Sequence, residues 1–563
     1  MEERQKEGIP QLRLNSSPVS PHTLSTPDKS PIVNASTAFL EDTTSHKGLA
    51  AAQAANDDEH ALTFREATAL FPKAILFSLG ISLAIIMEGY DNSLLSNIFS
   101  LPQFREYFGK RLPNGDYQVS AGWQSATNAI GSVGGIFGLL LVGWMVERVG
   151  YRRSMHVGLA LIVGAIFITF FAHNIITLFF GQLITGVPFG MFQGMASAYA
   201  ADIAPLALRA VLTSFLNLCW CIGQFIATGA MKAALTRNDE WGFRIPFATQ
   251  WFWPVPIAII VFFAPESPWW LMRKGRRNET KAALKRLTAE TMPEEQLENY
   301  LQLIDYTNEH EKHVQEGTTY YDLFKGSNFR RTEVAAMAWA CQVASGIWLS
   351  GNITYFLEQA GFDSQHAFSF GLGMTGLTCV GTIASWFLSA RIGRRTLYLV
   401  GLTGMLAIEL MVGAMGIPRL SSGIGYASGV MLVLHSFIYS LTIGPVCFTI
   451  VPEVPSARLR QRTVVVARSA YQVLAIGANF LSPPMLNPTA WNLRGRAGFV
   501  WASICLIALT WTFFRLPECK DRTPMELDLL FERRTPTRAF KHAKVNAFRF
   551  TEHEMTAHTI QSE

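Results

Sequence analysis

The string "GWMVERVGYRR" (residues 143–153) decides the fold, because it returns near the middle of the second half of the chain as "FLSARIGRR" (387–395). Two further strings return in the same order: "DIAPLALR" (202–209) as "EVPSARLR" (453–460), and "PESPWW" (265–270) as "PECKD" (517–521). The paired positions Gly150 and Gly393, Asp202 and Glu453, and Pro265 and Pro517 lie 243, 251 and 252 residues apart. Three ordered repeats at nearly one offset indicate a duplicated chain. Between them the sequence is apolar: hydrophobic residues make up 49% and charged residues 16% of 563, more oil than a soluble chain of this length carries.

Runs of about twenty apolar residues, each long enough to cross a bilayer, fall near 74–94, 123–145, 155–173, 176–196, 211–230, 247–264, 333–356, 367–388, 397–416, 425–450, 464–484 and 498–515. The expected fold is an all-α membrane protein of twelve transmembrane helices in two six-helix halves. Its domains are a disordered N-tail (1–70), a first half (71–270), a short helical linker (271–330), a second half (331–516) and a C-tail (517–563). No basic segment and cleavage site precede the first span, so no cleavable signal is expected. Arg148, Arg152, Arg153, Arg209, Arg391, Arg394, Arg395, Arg458, Arg460 and Arg462 all fall on one side, which the positive-inside rule makes cytoplasmic, and both termini with it. Parallel halves of this kind form transporters whose site lies between them near the midplane.

The seven cysteines show no metal-ligand spacing and read as small buried hydrophobes. The net charge of +5 belongs to loops and tail, and no basic run with interleaved aromatics points to nucleic acid. The glycine runs "IGSVGGIFG" and "GLGMTGLTCVG" lie inside spans and read as close helix packing. No phosphate-binding loop is present, so no cofactor or metal is expected and an ion gradient must supply the energy. Glycosylation sequons at Asn15, Asn34 and Asn278 fall on the cytoplasmic side, and that at Asn352 falls within a span.

The repeated strings, with "YAADIAP" (199–205) and "GPVCFTIVPEVPSARLR" (444–460), resemble the signatures of the sugar porter branch of the major facilitator superfamily. "NLCWCIGQFIATGA" (217–230), "APESPWWLMRKGR" (264–276) and "ARLRQRTVVVARSAYQV" (457–473) are similar to the fungal maltose and general alpha-glucoside permeases. The resemblance covers residues 70–540 and implies a plasma-membrane carrier, not an enzyme, that moves a sugar such as maltose by alternating access and proton symport. A single chain in a lipid bilayer suffices for that. Two other readings stay open: a carrier of another polyol, acid or secondary metabolite, an exporter included, and a non-transporting sugar sensor.

Charged residues inside spans cost energy and by default face a cavity or a partner. In "AIIMEGYDNSLL" (84–95), Glu88 and Asp91 sit three residues apart on neighbouring parts of one helix face. The resemblance makes Asp91 the proton carrier and Glu88 its modulator, with Arg468 as the counter-ion of Asp91. Glu409 reads as a lipid-edge or packing residue and His435 as a hydrogen-bonded core residue. The pattern departs from relatives at Gln182, where many sugar porters have Arg, and at Gly135 and Gln182, where alpha-glucoside permeases carry acids.

A neutral, hydroxyl-rich sugar needs groups that both donate and accept, with an aromatic face against its ring. Gln224, Gln342, Asn352, Tyr471 and Gln472 supply the first and Phe448 the second; for each amide, an interhelical hydrogen bond is the alternative. Glu147, Arg148, Arg152, Asp202, Arg209, Glu266, Arg391, Arg394, Glu453, Arg460 and Glu518 cluster at the cytoplasmic helix ends of both halves and read as a gate of weak ion pairs, or else as topogenic charge.

Overall fold

The computed structural model describes residues 61–543 apart from 113–114, 316–318, 360, 419–421, 457–458, 489, 521 and 523. Most of the expected N-tail, with Asn15 and Asn34, and Arg458 therefore lie outside the described residues, as does the side chain of Arg460. Among the described residues, eleven helices are long and apolar enough to cross a membrane. They are the first span (Pro72–Ile98), second (Ala121–Val149), third (Tyr151–Phe170), fourth (Ile175–Ile203), fifth (Ala207–Ala234), sixth (Trp241–Phe263), eighth (Ser364–Arg391), ninth (Arg394–Met415), tenth (Gly423–Glu453), eleventh (Arg462–Leu486) and twelfth (Arg494–Arg515).

The seventh expected span is not one continuous helix. It is built of three consecutive pieces, Gly326–Ala344, Ile347–Gly351 and Ile353–Gln359. Gly346 adopts the left-handed conformation at φ +73°, which a helix cannot continue through and which glycine tolerates best. The ninth span's Glu409 fills the space beside it: a Cβ on Gly346 would lie 1.6 Å from Glu409 Oε1. Glu409, 1% exposed, is therefore not at the lipid edge, and His435 Nε2 stands 3.4 Å from its carboxylate. His435 also lies 3.0 Å from the Ser345 carbonyl and 3.1 Å from Ser350 Oγ, so it supplies hydrogen bonding where the helix breaks.

Two of the apolar clusters follow the duplication. One cluster holds the first, third and fourth spans around Met87, Ile162 and Phe192, and another holds the ninth, tenth and twelfth around Tyr398, Met405 and Cys505. Within the first half, the second and fourth spans approach to backbone contact. A Cβ on Gly134 would lie 2.2 Å from the Leu183 carbonyl, and one on Gly190 2.1 Å from that of Gly135, so the "IGSVGGIFG" glycines do serve helix packing.

Outside the spans, two expectations shift. Residues Phe64–Leu70 form a helix whose Thr63 and Glu66 cap each other reciprocally, within the stretch expected to be a disordered tail. In the C-tail, Leu527, Leu530, Phe531 and Phe540 are buried against the second half, because Pro524–Glu532 presents an apolar stripe to it. Arg330 donates to Thr537 Oγ1 at 2.8 Å and anchors this segment. Between the halves, helices Pro268–Arg273, Arg277–Leu287 and Glu294–Gln315 pack through Met272, Leu284, Leu297, Leu301 and Ile304.

The glycine seam gives the first test. Gly186→Val, which drives a side chain into the Gly131 carbonyl 2.1 Å from its Cβ, is expected to destabilise the first half by about 1–3 kcal/mol or more. Gly143→Val, at a position with nothing within 4 Å, is expected to leave stability unchanged. Thermal denaturation of the two purified variants in detergent compares them.

Candidate functional site

Between the halves, in the middle of the spans, an acid and a base are joined by an amide. The Gln193 amide of the fourth span donates to Glu88 Oε1 of the first. Gln193 Oε1 accepts from Arg468 Nε of the eleventh span at 2.8 Å. A carboxamide can do both at once because its two ends carry opposite hydrogen-bond character. The guanidinium of Arg468 lies over the rings of Trp339 at 4.1 Å and Tyr471 at 4.3 Å. Trp339 meets Phe448 edge-on at 5.0 Å and Tyr471 at 5.4 Å, so two aromatic rings of the second half hold the cation and a third packs behind Trp339.

Asp91 looks elsewhere. It is 6% exposed and accepts from Gln250 Nε2 of the sixth span at 3.0 Å, with Gln182 of the fourth span beside it. The expected pairing of Asp91 with Arg468 is thus not what the structure holds: Arg468 reaches Glu88 through Gln193, while Asp91 is enclosed within the first half by neutral amides. The three-residue spacing turns the two carboxylates toward different neighbours.

The expected sugar contacts divide. Gln342 donates to the Gly444 carbonyl at 3.0 Å, tying the seventh span to the tenth, which is the interhelical alternative. Asn352 donates to the Trp348 carbonyl at 2.8 Å and, with Ser96, Gln124, Asn128 and Tyr355, lines a small cavity between the halves. Gln224 is half-buried on the fifth span. Gln472 packs on the second span: its Nε2 would lie 3.3 Å from a Cβ at Gly135. The absent side chain at 135 therefore makes room for Gln472. Gln193, Gln250, Trp339 and Trp348, whose indole donates to Asn479 Oδ1 at 2.9 Å, were not singled out from the sequence. The criterion that selected Gln224, an amide inside a span, selects Gln193 and Gln250 as well.

The charged clusters at the helix ends form two copies of one arrangement. Glu266 accepts from the backbone amides of Tyr151 at 2.8 Å and Arg152 at 3.3 Å. Glu518 accepts from those of Arg394 at 2.8 Å and Arg395 at 3.2 Å. Each carboxylate thereby caps a helix N-terminus, where free amides and the helix dipole favour an anion. Burial pushes the Glu266 carboxyl above its ordinary range, against the pull of those amides. Arg152 donates to the Phe262 carbonyl at 2.5 Å and Arg395 to that of Phe513 at 2.7 Å. Asp202 accepts from Ser267 Oγ at 2.7 Å, and Arg394 pairs with Glu453 at 3.0 Å. Trp270 Nε1 donates to the Glu147 carbonyl at 3.4 Å, and Arg148 lies over Trp144. Glu147, Arg148 and Arg391 are exposed and Arg209 is half-buried. All these contacts stay within one half.

Residues 77–531 match the family described as "Sugar (and other) transporter". The chain belongs to that family. It is 38% identical over 502 residues to the general alpha-glucoside permease of Saccharomyces cerevisiae, spanning 88% of this chain and 81% of the permease. It is 38% identical over 503 residues to the maltose permease MAL31 of the same yeast, spanning 88% and 82%. Among solved structures, the partially occluded inward-open xylose transporter XylE of E. coli superposes with a TM-score of 0.66 at 18% identity, over 80% of this chain and 99% of XylE. The major facilitator proton:xylose symporter XylE bound to 6-bromo-6-deoxy-D-glucose gives 0.67 at 18%, over 82% and 99%. At that identity the likeness establishes the fold, and the chain is a multi-pass membrane transporter of the major facilitator fold.

If Gln193 relays between the two charges, a double-mutant cycle of Glu88→Gln and Arg468→Gln, read by thermal stability in detergent, shows a coupling of about 1 kcal/mol in the native chain and about zero in Gln193→Ala. Coupling that survives in Gln193→Ala would mean that the charges interact without the amide.

Proposed function

We propose that the protein is a proton symporter that imports a neutral alpha-glucoside, maltose first among candidates, across the plasma membrane with both termini in the cytosol. The observation that carries the reading is the bridge of Glu88, Gln193 and Arg468, which crosses the two halves at mid-depth beside Trp339, Phe448 and Tyr471. The permease names of the relatives supply the substrate class, and the Arg-rich helix ends supply the orientation.

In this mechanism the sugar binds between the halves, its ring against the aromatic side chains and its hydroxyls on Gln224, Asn352, Tyr471 and Gln472. Asp91 carries the proton: it is buried among amides that bring no compensating charge, so taking up a proton removes the cost of an isolated carboxylate. Glu88 conveys the state of the site, because its bond to Gln193 links the first half to the second through Arg468. At the cytoplasmic end, Arg394 with Glu453 and the capped Glu266 and Glu518 stiffen each half, and the exposed Arg148, Arg391 and Glu147 are free to meet the opposite half when that end shuts.

A proton entering through about 100 mV releases roughly 2.3 kcal/mol, and one pH unit adds about 1.4, together enough for roughly 500-fold accumulation. Asp91→Asn, fixed in the neutral form, is expected to abolish accumulation in proteoliposomes while exchange of labelled maltose continues. Glu88→Gln is expected to slow accumulation and exchange alike, since it loosens Gln193, whose other end holds Arg468 of the opposite half. Accumulation by Asp91→Asn at the native level would remove Asp91 from the coupling path. Gly135 and Gln182 favour a second reading, a carrier of another polyol, acid or secondary metabolite on the same fold, and a substrate panel run with and without a pH gradient separates the two.

A further inference from the structure

At the end remote from the Arg clusters, the two halves are held together by a buried ion pair. Arg105 lies on the short helix Pro102–Phe108, which follows the first span, and Glu358 lies on Ile353–Gln359, the last piece of the broken seventh span. Arg105 Nη1 and Glu358 Oε2 are 3.8 Å apart, with side chains 20% and 5% exposed. The other carboxylate oxygen, Oε1, accepts from Ser364 Oγ at 2.6 Å, within the second half. Ser100 flanks the carboxylate from the first half, and Asp363, which faces His366 at 3.6 Å, flanks it from the second. One turn earlier, Tyr355 accepts from Gln118 Nε2 at 2.5 Å, and Asn487 Nδ2 donates to the Val119 carbonyl at 3.2 Å. These bonds join the segment after the first span to the seventh and eleventh.

The piece that carries Glu358 has the anatomy of a moving part. It is preceded by the interruption at Asn352 and followed by Gly361 at φ +93°, so it can swing without unwinding a longer helix. Arg105 and Glu358 come from different halves, and a rocking of the halves separates them. Once parted, Glu358 keeps Ser364 and can meet water, whereas removing Arg105 in the shut state leaves a buried carboxylate without its cation, the costly case for an ion.

We propose that Arg105 and Glu358 are gating residues of the transport cycle, a latch that closes the end opposite the Arg clusters and parts each time that end opens. The proposal rests on the transport reading above for its cycle and for the outward direction of this end.

The test uses Ser96→Cys as a reporter, because Ser96 lines the small cavity behind the latch with Phe99, Gln124, Asn128, Asn352 and Tyr355. Intact cells are treated with a membrane-impermeant maleimide, the labelling of the chain without the reporter is subtracted, and exposed Thr236→Cys serves as an always-reachable control. Glu358→Gln and Arg105→Gln are each expected to speed labelling of the reporter about ten-fold. The exchanged pair Arg105→Glu with Glu358→Arg is expected to restore the native rate. Native-rate labelling in either single variant, or an exchanged pair as open as the singles, overturns the latch. Should Glu358→Gln fail to reach the surface, Arg105→Gln and the exchanged pair decide it. Uptake of labelled maltose by the native chain is measured separately. A chain that moves no maltose yet labels as expected keeps the latch and loses the substrate reading, and normal uptake with unaltered labelling loses the latch alone.

Discussion

A carboxylate taken out of water costs several kcal/mol even after its surroundings relax, and the arrangement of this bundle follows from how each buried acid is compensated. Glu88 has Gln193 and, behind it, Arg468. Asp91 has the amide of Gln250. Glu409 has His435, and Glu358 has Arg105 and Ser364. Each answer comes from a different span or segment, so satisfying the acids dictates which helices face one another. The fourth span must turn Gln193 toward the eleventh while its glycines press on the second, and both demands are met by one helix whose faces carry different residues.

The same bookkeeping separates what is rigid from what moves. Glu266 and Glu518 cap the helices that begin at Tyr151 and Arg394, and Gly150 and Gly393 leave the space for it: a Cβ there would lie 2.6 Å from Glu266 Oε2 or 2.1 Å from Glu518 Oε2. These bonds are duplicated and internal to each half. Bonds that cross between the halves join the second span to the eleventh, where Asn479 Nδ2 donates to the Asn128 carbonyl at 3.4 Å, and the fifth to the eighth. They lie at mid-depth, where Arg468 meets Gln193 and Asn217 donates to Thr382 at 3.1 Å, and at the end away from the Arg clusters. Two stiff bodies joined by such separate polar contacts are suited to rocking, because each contact can part while the capped helix ends within each half stay intact.

Much of this was legible in the sequence. Span number and duplication follow from apolar length and the repeated "GRR", "DIAP" and "PES" strings, which carry the capping geometry within them. Glu88, Asp91, Arg468 and Glu409 stood out because a charge in a span is conspicuous. What they face was not legible: a three-residue spacing gives the angle between two side chains on one helix and says nothing of the neighbours, so Asp91 was matched with Arg468 although Glu88 is the one linked to it. Gln193 and Gln250 meet the same criterion as Gln224, an amide inside a span, and what sets them apart, an acid for a neighbour, shows only once the helices are packed. The interruptions at Gly346 and Asn352 were hidden inside an apolar run, since the residues that compensate the break, Glu409 and His435, come from the ninth and tenth spans.

Gly135 and Gln182, where the resemblance implies acids, bear on one quantity, the charge of the central site. Gly135 replaces a side chain by space that Gln472 fills, and Gln182 sets an amide beside Asp91. Both changes leave the centre with two acids, Glu88 and Asp91, and with Arg468 as the cation that reaches it among the described residues. With both acids ionised the site carries one uncompensated negative charge, and a single proton neutralises it. A neutral sugar does not alter that sum. The low-dielectric interior penalises a net charge far more than it penalises a compensated pair, so the conformational change, in which the site passes from one bath to the other without free access to water, is easiest with one proton aboard. Under the proposed symport that proton sits on Asp91, the acid whose neighbours are amides rather than a cation.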